Sequence, residues 1–200
     1  MTDRLPLAPV TLAGDLVQLV PLSPDHHDGL VEAVSDGALW TLWYTSVPDP
    51  EGMRAEIDRR LRLRDQGSML PFTVIRRADG RIVGMTTFMN IDAEGPRVEI
   101  GSTWYARSVQ RTGLNTEAKL LLLAHAFDTL GCLAVEFRTH VLNRQSRQAI
   151  ERLGARLDGI LRWHVRAKDG TVRDSCVYSI TAPEWPAVRA HLRFSLAARA

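Results

Sequence analysis

Residues 99–118 of this 200-residue chain read EIGSTWYARSVQRTGLNTEA, and the order of elements within them governs the reading of the whole. The first part alternates side chains in the manner of a strand and predicts one over 97–105. The last part, continued as TEAKLLLLAHAFDTL and followed by Gly131, predicts a helix over Asn115 to Leu130. Between them lies a polar loop, Arg107 to Thr116, with one glycine at position 113. A strand that passes through such a loop into a helix N-terminus makes a place for an anion. Unpaired backbone N–H groups face outward there, and the helix dipole adds partial positive charge. Gly113 has no side chain to keep a ligand from the backbone. Arg107 and Arg111 add full charges, and Thr112 and Thr116 add hydroxyls. The loop is neither GxxxxGK[ST] nor GxGxxG, which withdraws support from nucleoside triphosphates and dinucleotides.

Working outward, Leu16 to Leu22 predicts a first strand. Ser23-Pro24-Asp25 supplies a cap, a proline at the first helical position and an acid in the first turn of a helix reaching about Val34. Asp49-Pro50-Glu51 repeats that signal before a second helix, whose apolar stripe is Met53, Ile57 and Leu61. Two strands, Phe72 to Ile75 and Ile82 to Ile91, flank the hairpin signal Ala78-Asp79-Gly80-Arg81. Beyond the long helix come a strand over 133–141, a short helix from Ser146 to Leu153 closed by Gly154, and strands over 157–166 and 172–180. Lys168-Asp169-Gly170-Thr171 joins those last two strands. Thr181-x-x-Glu184 has the spacing of a capping box, ahead of a last helix with Trp185, Val188, Leu192 and Leu196 on one face. The element order β-α-α-β-β-β-α-β-α-β-β-α predicts a mixed α/β (α+β) sheet covered by helices.

The bulk properties exclude several classes. Twenty-five basic and 23 acidic residues leave a formal charge of +2, without the concentrated basic face that nucleic-acid binding requires. The two cysteines, Cys132 and Cys176, form neither a disulfide framework nor a metal-ligand cluster, and read as buried thiols in a reducing compartment. The N-terminal stretch MTDRLPLAPVTLAG lacks the apolar run of a secretion signal. No run approaches the about 18 apolar residues of a membrane span. A cytoplasmic protein with no membrane partner and no metal is expected.

Two motifs stand about thirty residues apart. The loop carries Gln110-x-x-Gly113, and the next strand is followed by Asn143-Arg144-Gln145-Ser146 and then Leu153-Gly154. Together they resemble the GNAT superfamily of N-acetyltransferases, which carries Q/R-x-x-G-x-G/A at its pyrophosphate loop and, in many branches, N-x-x-S…LG after the next strand. The runs EIGSTWYARSVQRTGLNTEA and NRQSRQAIERLGA resemble its RimJ/RimL-like branch over 98–155. The resemblance implies a mixed, mostly antiparallel sheet of about seven strands flanked by helices. It also implies a domain over 10–182, behind a flexible segment at 1–9. An added C-terminal amphipathic helix at 183–200 would pack on the domain or on a partner subunit, as a homodimer contact. In one respect the sequence departs from the motif: the second small loop residue is Asn115, whose tolerance of left-handed backbone suits a modified loop.

The implied reaction moves an acetyl group from acetyl-CoA, a co-substrate, to a primary amine on a protein N-terminus or a small molecule. The amine attacks the thioester directly. It must lose a proton, the oxyanion must be stabilised, and the leaving thiolate must be protonated. The strands over 97–105 and 133–141 would splay and take the pantetheine arm between them. Backbone groups of Trp104, Tyr105 and Ala106 would bind its amides, with Asn143 and Ser146 nearby. Gln110, Arg111, Thr112, Gly113, Leu114, Asn115 and Thr116 would hold the pyrophosphate, and Arg144 or Arg147 would meet the adenosine phosphate or solvent. Glu99 is the candidate base, or else a strand-end carboxylate paired with an arginine. On an ideal strand it shares a face with Gly101, Thr103 and Tyr105. Ser146 is the candidate for contact with the thiol, or a residue of the helix's first turn. One branch has a glutamate where this chain has Arg138, and His140 is a further titratable group. Trp40, Trp43 and Tyr44 would wall the acceptor site or embrace a cationic amine, or anchor helices to the sheet. Trp163 and His164 are weaker candidates of the same kind. The alternatives are a catalytically degenerate domain that binds acyl-CoA as a regulatory module, and a regulator that binds another phosphate at the same helix terminus.

Overall fold

The computed structural model describes residues 8–166 and 170–198. Within them the chain runs β1 (Leu12–Ala13), β2 (Val17–Pro21), α1 (His27–Ser35), α2 (Met53–Asp65), β3 (Met69–Arg76), β4 (Ile82–Asp92) and β5 (Arg97–Tyr105). It continues with α3 (Leu114–Ala124), β6 (Ala134–His140), α4 (Arg144–Glu151), β7 (Arg156–Arg166), β8 (Val172–Thr181) and α5 (Trp185–Ala197). The order is the expected one with a single addition. The two-residue β1 pairs with β2 and makes eight strands in the described residues where about seven were expected. A two-residue strand is too short to show a period in sequence.

The strands lie in the order β1-β2-β3-β4-β5-β6-β8-β7. All neighbours are antiparallel except β5 and β6, which are parallel. The last hairpin enters with β8 inside and β7 at the edge because Cys176, Tyr178 and Ile180 give β8 a buried face, whereas β7 is exposed along nearly its whole length. Lys168 and Asp169 of the hairpin signal, and residues 1–7 of the expected flexible segment, lie outside the described residues.

The two helix layers follow from alternation along β4. Neighbouring residues on a strand point to opposite faces. Thr87 meets Arg60 of α2, and Thr86 meets Lys119 of α3, so α2 and α3 cover opposite faces of the sheet. The buried residues of α2 are Met53, Ile57 and Arg60, and Leu61 of the expected stripe packs half-buried against the core. Seven residues come closer to two whole helical turns than eight do, so the inward position falls on an arginine.

The expected capping at Ser23 is present: its hydroxyl accepts from the Asp25 N–H, and His26 Nδ1 accepts from the Ser23 N–H. At the other end Glu184 accepts from both the backbone N–H and the hydroxyl of Thr181, each at 2.9 Å, and the helix starts one residue later. The helix expected to reach Leu130 changes pitch after Ala124 into a π-turn segment, His125–Thr129. That segment presents Phe127 and Asp128 to α5. Trp185 stacks on Phe127 at 5.4 Å and donates to Asp128 at 2.8 Å, and Arg189 pairs with the same carboxylate at 3.1 Å. The apolar stripe of α5 is thus packed on its own chain, and of its large apolar residues Phe194 is left exposed. Among the described residues no helix is long and apolar enough to cross a membrane.

One buried carboxylate ties the first strands to the central helix. Glu117, in the first turn of α3, accepts from the N–H groups of Asp15, Leu16 and Val17 at 2.9, 2.7 and 2.8 Å. Replacing Glu117 with Ala leaves all three donors without that acceptor. The expected loss is about 3 kcal/mol, read as a lower urea midpoint with an unchanged slope; Glu117→Gln should lose less.

Candidate functional site

β5 and β6 pair only at Arg97–Ala134, Val98–Val135 and Glu99–Glu136. Beyond that point β5 stays with β4 and β6 stays with β8, and the two part company. A wedge opens between them, lined by strand edges that have no strand partner across the gap. Such edges recruit another hydrogen-bonding chain or water.

β5 bends away through a bulge at Ser102, which has φ 48°. The register steps from Thr87–Gly101 to Met85–Trp104, so β5 carries one residue more than β4. The bulge is held from both faces of the sheet. From α2, Arg60 donates to the Ser102 carbonyl at 3.1 Å and to Thr87 Oγ1 at 2.7 Å, while Glu56 accepts from its Nε at 2.7 Å. From α3, Lys119 Nζ reaches Thr103 Oγ1 at 2.9 Å and Thr86 Oγ1 at 3.3 Å. The bulge also corrects the ideal-strand expectation. Glu99 and Gly101 keep to the α2 face, but the inserted residue breaks the alternation and turns Thr103 toward α3.

Glu99 sits at the vertex of the wedge, buried. Its carboxylate accepts from Asn90 Nδ2 at 2.6 Å and lies 3.5 Å from Arg138, which pairs more closely with Glu136 at 2.9 Å. Burial raises the Glu99 pKa above the usual carboxylate value, against the opposing pull of Asn90, Arg138 and Arg173. Asn90 reaches it from an irregularity of β4 where the asparagine itself has φ 47°. Arg138, at the position where one branch has a glutamate, is therefore the arginine facing Glu99. His140, further along β6, accepts the Leu142 N–H on Nδ1 at 3.0 Å, and burial lowers its pKa. A neutral ring with its acceptor nitrogen already engaged is a poor base.

On the α3 face, the loop Gln110 to Thr116 leads into the helix as expected, with differences in detail. The positive φ falls on Arg111, at 63°, whereas Asn115 is the second residue of α3 and in helical conformation. A Cβ on Gly113 would point at Leu16, 3.0 Å away, and at Leu196. A side chain there would press on the flexible ends of two leucines of the protein itself, and Leu16 would have to give by a few tenths of an ångström. Leu114 is buried, and its N–H donates to Thr112 Oγ1 at 3.3 Å. Thr116 is the third residue of α3, beside Asn115 in the turn where helix N–H groups lack intrahelical partners. Gln110 Nε2 donates to the Tyr105 carbonyl at 3.0 Å, and the Ala106 N–H donates to the Val83 carbonyl at 2.9 Å. The side chains of Trp104 and Tyr105 are buried with Nε1 and the hydroxyl lacking partners. Asn143 caps α4 by accepting the Ser146 N–H at 3.0 Å, and Ser146 is the third residue of that helix. Arg147 is engaged with the Tyr178 hydroxyl at 2.9 Å, which leaves Arg144 as the exposed guanidinium there.

On the α2 face, two of the three predicted acceptor-side aromatics meet the cleft. Trp43 and Tyr44 pack edge-on against His140, with centroids 5.1 and 6.5 Å away. Trp40 stands apart in a recess of about 360 Å³ beside α2, with Val47, Pro48, Asp49 and Glu56. Trp163 is 79% exposed, and His164 Nδ1 lies 3.0 Å from Ser175 Oγ. Sequence reading passed over Asn90, Arg60, Lys119, Glu117 and Arg173. The available signals were polar residues inside apolar runs: an asparagine late in β4, a lysine amid the leucines of α3.

The acetyltransferase (GNAT) domain family matches residues 17–156, and the chain belongs to it. A GCN5-related N-acetyltransferase from Brucella melitensis is 32% identical, with 98% of this chain and 89% of that one covered at a TM-score of 0.84. RimJ of Mycobacterium smegmatis, solved with CoA-disulfide, is 26% identical over 96% of both chains at 0.78, which places this chain with the RimJ/RimL-like branch. The microcin C7 self-immunity acetyltransferase MccE, solved with acetyl-CoA and AMP, shares the fold at 19% identity and a TM-score of 0.73. No curated protein matches the chain.

Lys119 yields a stability prediction. Burial lowers its pKa from 10.5 to about 7, so between those values the unfolded chain holds a proton that the folded chain has released. Stability therefore rises with pH across that window, by at most about 1.4 kcal/mol per unit. Thermal melts of the native protein at pH 7 to 9.5 should show the rise, and Lys119→Met should flatten it.

Proposed function

We propose that this protein transfers an acetyl group from acetyl-CoA to a primary amine, on a protein N-terminus or a small molecule, with Glu99 as general base. The observation that carries the reading is the parting of β5 from β6 immediately beyond Glu99 and Glu136. The gap has the form that a linear chain of amides can fill as an added strand, and two buried donors on β5, Trp104 Nε1 and the Tyr105 hydroxyl, stand without partners. The residues present therefore fit the group. Acetyl-CoA supplies an activated acyl carbon on a thiol leaving group.

The protein's own residues do the rest. The first turn of α3, with Asn115 and Thr116, and the Gln110–Gly113 loop before it hold the pyrophosphate by N–H groups and the helix dipole. The β5 edge at Trp104 and Tyr105 holds the pantetheine, with Gln110 already on the Tyr105 carbonyl, while Ala106 contributes little, its N–H being bonded to Val83 and its carbonyl to Val109. Ser146, in the first turn of α4, hydrogen-bonds the departing thiolate and relays a proton to it from solvent. Glu99 removes the amine proton, directly or through a water. Its raised pKa brings the carboxylate nearer the operating pH, which strengthens it as a base. Trp43 and Tyr44 wall the approach from the α2 face.

Calorimetric titration with acetyl-CoA tests the placement. Saturable binding is expected, weakened at least about tenfold by Asn115→Trp, which fills the first turn of α3. No binding to the native protein would refute the reading. Against a broad amine panel, Glu99→Gln should lower kcat by about 10² or more while acetyl-CoA still binds. Binding without turnover of any amine would favour the degenerate, regulatory alternative.

A further inference from the structure

The carboxylates at the vertex of the wedge already have basic partners. Glu99 and Glu136 are matched by Arg138, which reaches both, and by Arg97, 4.0 Å from Glu136. Arg173 remains. It lies on β8 opposite Val165, two residues before Ser175, whose cross-strand partner is His140. Residues two apart on a strand share a face, so Arg173 projects on the side where His140 meets Trp43 and Tyr44. Its guanidinium feels both Glu99 and His140, which lays the side chain along the approach to the vertex. Asp174, next in the chain, directs its carboxylate instead to the Trp163 N–H at 2.8 Å.

Among the described residues no carboxylate forms an ion pair with Arg173, and its Nε is buried without a hydrogen-bond partner. Arg173 is half-buried, and the carboxylate that attracts it, Glu99, is already held by Asn90 and Arg138; burial outweighs that attraction and lowers its pKa. The planar fork of an arginine is suited to bidentate contact with a carboxylate or a phosphate.

We propose that Arg173 recognises an anionic oxygen group, carboxylate or phosphate, carried by the same molecule as the acceptor amine. The inference rests on the acetyl-transfer reading above and narrows its acceptor to a zwitterionic amine. The anion docks on Arg173, the body of the acceptor lies against Trp43 and Tyr44, and the amine is directed to Glu99. A polyamine or a neutral amine would leave the guanidinium unpaired, at a cost that discriminates against it.

The test uses the full chain with acetyl-CoA and two matched probe pairs: phenylalanine with phenylalaninamide, and 2-aminoethyl phosphate with ethanolamine. Thiol release gives kcat and KM, and calorimetry in the presence of CoA gives Kd whether or not turnover occurs. The anionic member of at least one pair should bind and react about tenfold or more better than its mate, and the responding pair tells carboxylate from phosphate. Arg173→Gln should bring the ratio toward one through KM, and Arg173→Lys should restore part of it. Equal or better binding of the neutral members, binding of none of the four probes, or an undiminished ratio in Arg173→Gln would overturn the proposal. So would equal losses for both members with a displaced pH–rate profile, which would make Arg173 a tuner of Glu99. If the native protein fails to bind acetyl-CoA, the failure lies in the acetyl-transfer reading itself.

Discussion

A strand in the middle of a sheet ordinarily satisfies its backbone on both edges, and β5 does so for only three residues on the β6 side. Most else in the molecule answers to that constraint. Leaving two interior edges open is unfavourable unless something pairs with them, and the strand must still be rigid enough to present its groups in one arrangement. The bulge at Ser102 supplies the bend, and its exposed carbonyl is taken up by Arg60. Lys119 fixes the other side through two threonines. Buried cations on opposite faces thus immobilise the same two or three residues. Arg60 has Glu56 as its counter-charge and Lys119 has hydroxyls only; burial lowers the pKa of both, that of the lysine to about 7.

The vertex shows how a carboxylate can be kept between two states. Burial alone would drive Glu99 toward the protonated form, and full pairing with an arginine would drive it toward permanent ionisation. Arg138 is shared with Glu136, so it draws Glu99 only at 3.5 Å. Asn90 adds a hydrogen bond without adding charge. The outcome is a raised pKa, of the sign wanted in a base. Glu136 therefore acts as a competitor for Arg138, and that competition is what leaves Glu99 available.

Legibility in the sequence followed the range of the interactions involved. Element order was readable because apolar period, caps and Asp-Gly turns are local, and Arg97–Tyr105 was found to the residue. The loop before α3 was readable as a strand-to-helix turn for the same reason. Several details were not readable, since each depends on a partner distant in the chain. Gly113 packs beside Leu16 and Leu196. The inward position of α2 belongs to Arg60 because a bulge forty-two residues away offers it a carbonyl. Glu99 parts from the face of Thr103 because one inserted residue shifts the alternation, and bulges leave little trace in composition. Trp40 separates from Trp43 and Tyr44 because a 3₁₀ turn, Leu39–Thr41, reorients the chain between them.

The two faces of the sheet divide the work. The α3 and α4 helix starts lie on one side, the side on which the proposed function puts the phosphates. The other side carries Glu99, Arg138, Arg173, His140 and the paired aromatics, the side on which it puts the acceptor. Between β5 and β6 the sheet is open, so a group threaded from the first side is reachable from the second. An intact hydrogen-bonded sheet would be a barrier to that meeting, and Glu99, paired with Met89 on one side and Glu136 on the other, is held in ordered backbone at its edge. The same three paired residues that end the β5–β6 ladder therefore set both the depth to which a ligand can enter and the position of the carboxylate it meets there.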